Sequence, residues 1–222
     1  MNPIKIVLLT IGQSPRRDII PEIRPLISPN VEIRERGLLD NLDFEEIQKL
    51  KPDKDEVPLV SILKNGETVH LGVKKIEALL EENIKEMQRE NIKAIGLLCT
   101  HDFKEREYSI PVIFPSRIIR FFVEQILKIN KLGIVIPLEN QSDMAKEKFQ
   151  CEKIFIQFKS PYEKEKTWEE IVYHFKKEEV EGIVLDCIGY KIKDLQEVKK
   201  MINVPILLPR LILVYSINFL FS

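Results

Sequence analysis

Two short apolar runs in this chain end in the same way, and they constrain its fold more than any other feature. Ile95-Gly96-Leu97-Leu98 runs into Cys99-Thr100-His101, and Gly182-Ile183-Val184-Leu185-Asp186 runs into Cys187-Ile188-Gly189. An apolar run of four or five residues bounded by turn chemistry reads as a strand buried on both faces, the pattern of a parallel sheet. Parallel strands need long crossovers, usually helical, and the chain supplies them. Ile4 to Leu9, Val31 to Gly37, Val112 to Phe114, Lys131 to Ile136, Lys153 to Phe158 and Val204 to Leu208 also read as strands.

Helical stretches lie between these runs. One is predicted from about Asp18, with Asp18 as its cap and Pro21 in its first turn. A short one is capped by Asp43, with Glu46 at the capping-box position. Val73 to Asn91 carries Ile76, Leu79, Leu80, Ile84 and Met87 on one stripe. Ser116 is predicted to cap a helix reaching Ile129, and Gln141 to Phe149 is helical. Thr167 and Glu170 form a capping box for a helix to Glu179, and a further helix follows Tyr190. Leu59 to Leu63 and Glu67 to Leu71 alternate instead, around Asn65-Gly66, which is a hairpin signal. The expected fold is α/β, with two pseudo-symmetric lobes. Each lobe is a mainly parallel sheet flanked by helices, with a β-hairpin insertion near residues 57–72. Residues 1–113 with 206–222 are expected to form one lobe and residues 114–205 the other.

Composition narrows the partners. The 222 residues carry a net charge of −1, with 44% hydrophobic and 31% charged residues. That balance gives no electrostatic case for nucleic acid or an anionic membrane. Three cysteines, an odd number without a CxxC pair, argue against a disulfide framework and fit a cytoplasmic protein with reduced thiols. His70, His101 and His174 are scattered, so no metal site is expected. The apolar tail, residues 211–221, is shorter than the roughly 20 residues of a membrane span and is expected to be a buried C-terminal helix.

In open α/β sheets, ligands bind outside the carboxyl ends of the strands. Cys99 and Cys187 are therefore candidate catalytic residues. One thiolate would remove a proton while the other thiol supplies one. A buried free cysteine also behaves as a small hydrophobe, so each thiol taken alone can equally be packing. Thr10-Ile11-Gly12-Gln13-Ser14-Pro15-Arg16-Arg17 follows the first strand, and a loop there can offer amide N–H groups to an anion. Gly12 permits close approach, Gln13 and Ser14 can donate hydrogen bonds, and Arg16 or Arg17 can grip a carboxylate or phosphate. The same residues also suit an ordinary turn with surface arginines. Ser116 and Arg117 open a helix, as a cap or as ligand donors. Thr100 and His101 follow Cys99, where a histidine can lower the thiol's pKa. Asp186 is expected to point away from Cys187, orienting a partner group or capping the next helix. Cys151 lies outside any strand end and reads as structural.

The segments Thr10-Ile11-Gly12-Gln13-Ser14-Pro15-Arg16, Phe114-Pro115-Ser116-Arg117 and Leu185-Asp186-Cys187-Ile188-Gly189-Tyr190, with the Asn65-Gly66 hairpin, make the chain resemble the AroM family nearly end to end. That family is similar in turn to the aspartate/glutamate/hydantoin racemase superfamily. The resemblance implies two α/β lobes with one catalytic cysteine from each, Cys99 and Cys187 here. The superfamily usually follows its second cysteine with Thr, whereas Ile188-Gly189 follows Cys187.

Three readings stand at this point. The first is a cofactor-independent racemase or isomerase acting on a small carboxylate at an inter-lobe cleft. Its acid and base would be Cys99 and Cys187, and its substrate-binding set Thr10, Gly12, Gln13, Ser14, Arg16, Thr100, His101, Ser116, Arg117 and Gly189. The second is a single-thiol isomerase or decarboxylase using Cys187. The third is a non-catalytic metabolite-binding protein. A homodimer would be in keeping with the superfamily.

Overall fold

The computed structural model describes residues 3–162 and 167–222. It separates into two compact units, 1–114 with 213–222 and 115–212.

The first unit holds four parallel strands: β1 (Ile4–Thr10), β2 (Val31–Gly37), β5 (Ala94–Leu98) and β6 (Val112–Ile113). Their order is β2-β1-β5-β6. The second unit holds β7 (Lys131–Ile136), β8 (Lys153–Phe158), β9 (Gly182–Leu185) and β10 (Ile206–Leu207), in the order β10-β9-β7-β8. Read from the edge strand inward, both sheets carry their strands as second, first, third and fourth. This shared order is the pseudo-symmetry expected from the repeated Cys run. β5 is buried at every position and so is β9, which is why neither shows polar alternation.

The helices are α1 (Ile20–Ile23), α2 (Phe44–Lys49), α3 (Val73–Met87), α4 (Pro115–Phe121), α5 (Ser142–Glu147), α6 (Trp168–Lys177), α7 (Ile192–Met201) and α8 (Pro209–Phe221). Asp43 and Thr167 close the capping boxes with Glu46 and Glu170. Other ends differ from expectation, each for a local reason. The Asp18 carboxylate binds the Arg16 guanidinium, and α1, with Ile19 at its N-cap and no side-chain cap there, is a single turn followed by a tight turn at Arg24–Leu26. Pro115, not Ser116, opens α4; Pro suits a first helical position because its missing N–H would be unpaired there anyway. α4 then widens into a π turn, Phe122–Ile126, where the Leu127 N–H bonds to the Phe122 carbonyl, and Lys128 turns left-handed at φ 50°. α3 stops at Met87 rather than Asn91, and the segment predicted as strand from Val204 pairs only at Ile206 and Leu207.

The hairpin is β3 (Pro58–Ile62) against β4 (Thr68–Gly72). Its loop is longer than the two-residue turn Asn-Gly favours. Leu63 N–H bonds to the Glu67 carbonyl across Lys64, Asn65 and Gly66, with Gly66 at φ 92°, the three-residue form that ends in a left-handed residue.

The expectation of a buried tail holds for one face only. On α8, Leu213, Val214 and Ile217 are fully buried, while Tyr215, Phe219 and Leu220 are exposed. A Cβ on Gly96 would come within 3.0 Å of Leu213 Cδ1, so the bare backbone of β5 lets α8 lie against it. Among the described residues, no helix is long and apolar enough to cross a membrane.

Candidate functional site

β1 lies between β2 and β5, and register brings Thr10 beside both Gly37 and Leu98. Cys99 follows Leu98 directly. The loop after β1 and the first thiol therefore leave the same end of one sheet, where an open α/β fold binds ligands.

That loop is held by its own side chains. Arg16 is 2% exposed; its Nε and Nη2 donate to the two Asp18 carboxylate oxygens at 2.8 and 2.7 Å, and its Nη1 donates to Thr10 Oγ1 at 2.8 Å. All three nitrogens of the guanidinium are thus bonded. Thr10 Oγ1 also accepts the Gly12 N–H at 3.3 Å. A hydroxyl has two acceptor sites and one proton, so Thr10 keeps its O–H for another acceptor. Gln13 ties three segments together. Its Nε2 donates to the Leu39 carbonyl, its Oε1 accepts from Lys64 N–H, and its own N–H reaches the Ile62 carbonyl. Ser14 donates from both N–H and Oγ to the Asp40 carboxylate, at 2.7 Å each. The Arg16 N–H donates to Glu35 at 2.7 Å. A Cβ on Gly12 would collide with Ser61 Oγ and the Ile62 carbonyl, so the loop can lie against β3 only because position 12 has no side chain.

At the end of β5, Cys99 is 8% exposed, and its Sγ accepts the His101 N–H at 3.4 Å. Thr100 is buried; the His101 ring meets Phe103 edge to face at 4.7 Å between centroids.

The second unit repeats the thiol turn. Cys187 lies just past β9, is 8% exposed, and its Sγ accepts the Gly189 N–H at 3.4 Å. A hydrogen bond to the charged form of an acid favours that form, so both turns support a thiolate. The neighbours of Cys187 are more strongly charged. Asp186 forms a 2.5 Å ion pair with Lys148, and both side chains are almost fully buried. Arg210, at the second position of α8, is fully buried. It donates to the Ile188 carbonyl from Nε and Nη2 at 3.2 and 2.9 Å, and from Nη2 to the Gly189 carbonyl at 2.9 Å. Tyr190 is also fully buried, and its O–H donates to the Lys159 carbonyl at 2.5 Å. Burial first, then the nearby Cys187 and Asp186 charges, push its phenol well above the ordinary range. A Cβ on Gly189 would lie 2.6 Å from the Tyr162 hydroxyl oxygen.

Ser116 and Arg117 belong to the second unit. Ser116 is buried, and its Oγ has no hydrogen-bond partner among the described residues; Arg117 is half-buried. Of the named candidates, Thr10, Gly12, Gln13, Ser14, Arg16, Cys99, Thr100 and His101 lie at one sheet end of the first unit. Ser116, Arg117, Cys187 and Gly189 lie in the second. Sequence reasoning missed Arg210 and Lys148 altogether. A signal for Arg210 existed. Pro209-Arg210 opens a helix after a short strand, as Pro115-Ser116 does, and a cation beside the positive end of a helix needs a specific reason to be there.

Residues 6–221 match the family model described as AroM protein. No curated protein sequence matches. Among solved structures, allantoin racemase from Pseudomonas fluorescens is similar with a TM-score of 0.64 at 14% identity, covering 98% of this chain and 90% of that one. Arylmalonate decarboxylase gives 0.59 at 11% identity, covering 98% and 92%. Glutamate racemase from Francisella tularensis, in complex with D-glutamate, gives 0.57 at 13% identity, covering 99% and 81%. At these identities the likeness is one of fold.

Proposed function

Starting from the fact that the chain belongs to the AroM family and has the racemase-like α/β fold, we propose that it is a cofactor-independent enzyme that moves a proton at a carbon next to a carboxylate, with Cys99 and Cys187 as its acid–base pair. One observation carries the reading. Each thiol sits past the carboxyl end of a buried parallel strand and accepts the amide N–H two residues on. A carbon acid beside a carboxylate is weak, so its proton is removed only where a base and donors to the developing negative charge are already in place. Thr10 and Ser116, whose hydroxyl protons are not committed to the other groups described, would donate to the substrate carboxylate. Arg16, Gln13 and Ser14 would hold the loop that carries Thr10. Thr100, His101, Arg117 and Gly189 would complete the set.

The test is exchange of the substrate α-proton in D2O, followed by proton NMR. The panel contains both enantiomers of aspartate and glutamate, together with arylmalonates that carry an α-hydrogen. Exchange that disappears in Cys99→Ser and in Cys187→Ser supports the two-thiol reading. Exchange unaffected by either change sinks it. A single-thiol reaction is favoured by one specific observation, the concentration of buried charge around Cys187. Full turnover by Cys99→Ser, with loss in Cys187→Ser, would select it.

A further inference from the structure

The geometry points to Arg210 as the residue that prepares Cys187, acting through the peptide group between Ile188 and Gly189. This rests on the reading of Cys187 as a reactive thiol. The carbonyl and N–H of that peptide belong to one rigid planar unit and point in opposite directions. Its oxygen accepts two bonds from the Arg210 guanidinium, at 3.2 and 2.9 Å, and its N–H donates to Cys187 Sγ at 3.4 Å. The cation therefore lies at the negative end of the peptide dipole and the sulfur at the positive end. Hydrogen bonds in series polarise one another, more so in a low-dielectric interior. A guanidinium on the carbonyl thus strengthens the N–H donor that faces the sulfur and favours the thiolate. The further bond from Nη2 to the Gly189 carbonyl fixes the peptide on both sides of Gly189. The planar fork of arginine suits this grip on two adjacent oxygens, and a lysine would not reproduce it.

Other charged groups near the thiol do not substitute for this arrangement. Asp186 disfavours a neighbouring thiolate, and Lys148 balances Asp186 through their buried ion pair. Tyr190, Tyr162 and Asp194 are acids whose ionised forms would add negative charge around Tyr190, as Cys187 itself does. Lys159 directs its ammonium at the Trp168 ring, 5.5 Å from the centroid. Arg210 is a positioning residue under this proposal. It touches the turn, and the turn touches the sulfur.

The experiment is the pH dependence of iodoacetamide labelling, with each cysteine followed by peptide mass spectrometry. The thiolate displaces iodide from the reagent and forms a carbon–sulfur bond, so the rate reports the thiolate fraction. Native protein should label Cys187 with an apparent pKa below the ordinary thiol value of about 8.5. Arg210→Met should raise that value and slow Cys187 labelling at pH 7 about tenfold, with Cys99 unchanged. Arg210→Lys, which keeps the charge without the fork, should fall between the two and is the decisive variant if Arg210→Met does not fold. Tyr190→Phe removes a neighbouring buried hydrogen bond and should leave the Cys187 profile in place, which separates loosened packing from the effect of Arg210. An unshifted Cys187 profile in a folded Arg210 variant overturns the inference alone. An ordinary or higher pKa for Cys187 in native protein overturns the reactive-thiol reading and this inference with it.

Discussion

The two cysteine turns share a backbone and differ in what surrounds it. In both, the sulfur accepts the N–H of the residue two positions on, at 3.4 Å. The Cys99 turn lies beside a loop whose charges are paired near the surface: Arg16 is buried, but its partner Asp18 is 24% exposed. The Cys187 turn is built over interior charge, with Lys148, Asp186 and Arg210 all buried. Strand ends repeated in sequence therefore reproduce the hydrogen bond to sulfur but not its electrostatic setting. The setting comes from residues elsewhere in the chain.

The sharpest way to break the comparison is kinetic. If the two thiols are partners, Cys187→Ser and Cys99→Ser should each lower α-proton exchange by about 10²–10⁴-fold, the usual contribution of a positioned acid or base. Unequal losses, read by NMR in D2O, would make the turns functionally distinct as well as electrostatically so. Stability should separate the turns next. Lys148→Met leaves Asp186 buried with its ion pair removed and should destabilise by about 3–5 kcal/mol in urea unfolding. Replacing both partners by apolar residues should recover much of that loss. Arg16→Met exposes its carboxylate partner to water more easily and should cost less, about 1.5–3 kcal/mol. A larger loss at Arg16 than at Lys148 would reverse the contrast.

Gly12→Val tests the frame of the first turn. Its side chain would have to displace Ser61 and the β3 backbone, and overpacking of this kind costs about 1–3 kcal/mol. The smallest effect concerns Cys151, which belongs to neither turn. Burial first, then the Glu124 and Glu181 charges, raise its thiol from 9.0 to about 11. The folded state therefore holds a proton that the unfolded chain releases earlier. The stabilisation is complete below pH 9 and is lost as pH rises through about 11. Tyr190 is raised too and adds to the loss above pH 10, so Cys151→Ser should only flatten the decline of the urea midpoint between pH 9 and 11. Labelling of Cys151 should stay slow at pH 8, where Cys187 reacts.

Much of the architecture was legible because its causes are local. The strand segments of β1, β2, β7 and β8 and the capping boxes at Asp43 and Thr167 are written within a few residues, and those elements formed where the pattern placed them. Helix ends were less legible. Asp18 can cap a helix or bind a guanidinium, and Arg16, two residues away, decided for the ion pair. Ser116 is a good cap residue, yet Pro115 took the first helical position and left the serine inside the helix.

The sequence by itself determined which residues are apolar, how they alternate with helices and where the thiols fall, because burial and backbone propensity act over short stretches of chain. Only the tertiary structure decided what those thiols face. Lys148 meets Asp186 across 38 residues, and Arg210 meets Ile188 across 22. The residues flanking Lys148 and Arg210 do not say which distant group each one meets. A buried charge must find compensating partners or not be buried at all, and those partners exist only once the sheet has brought distant segments together.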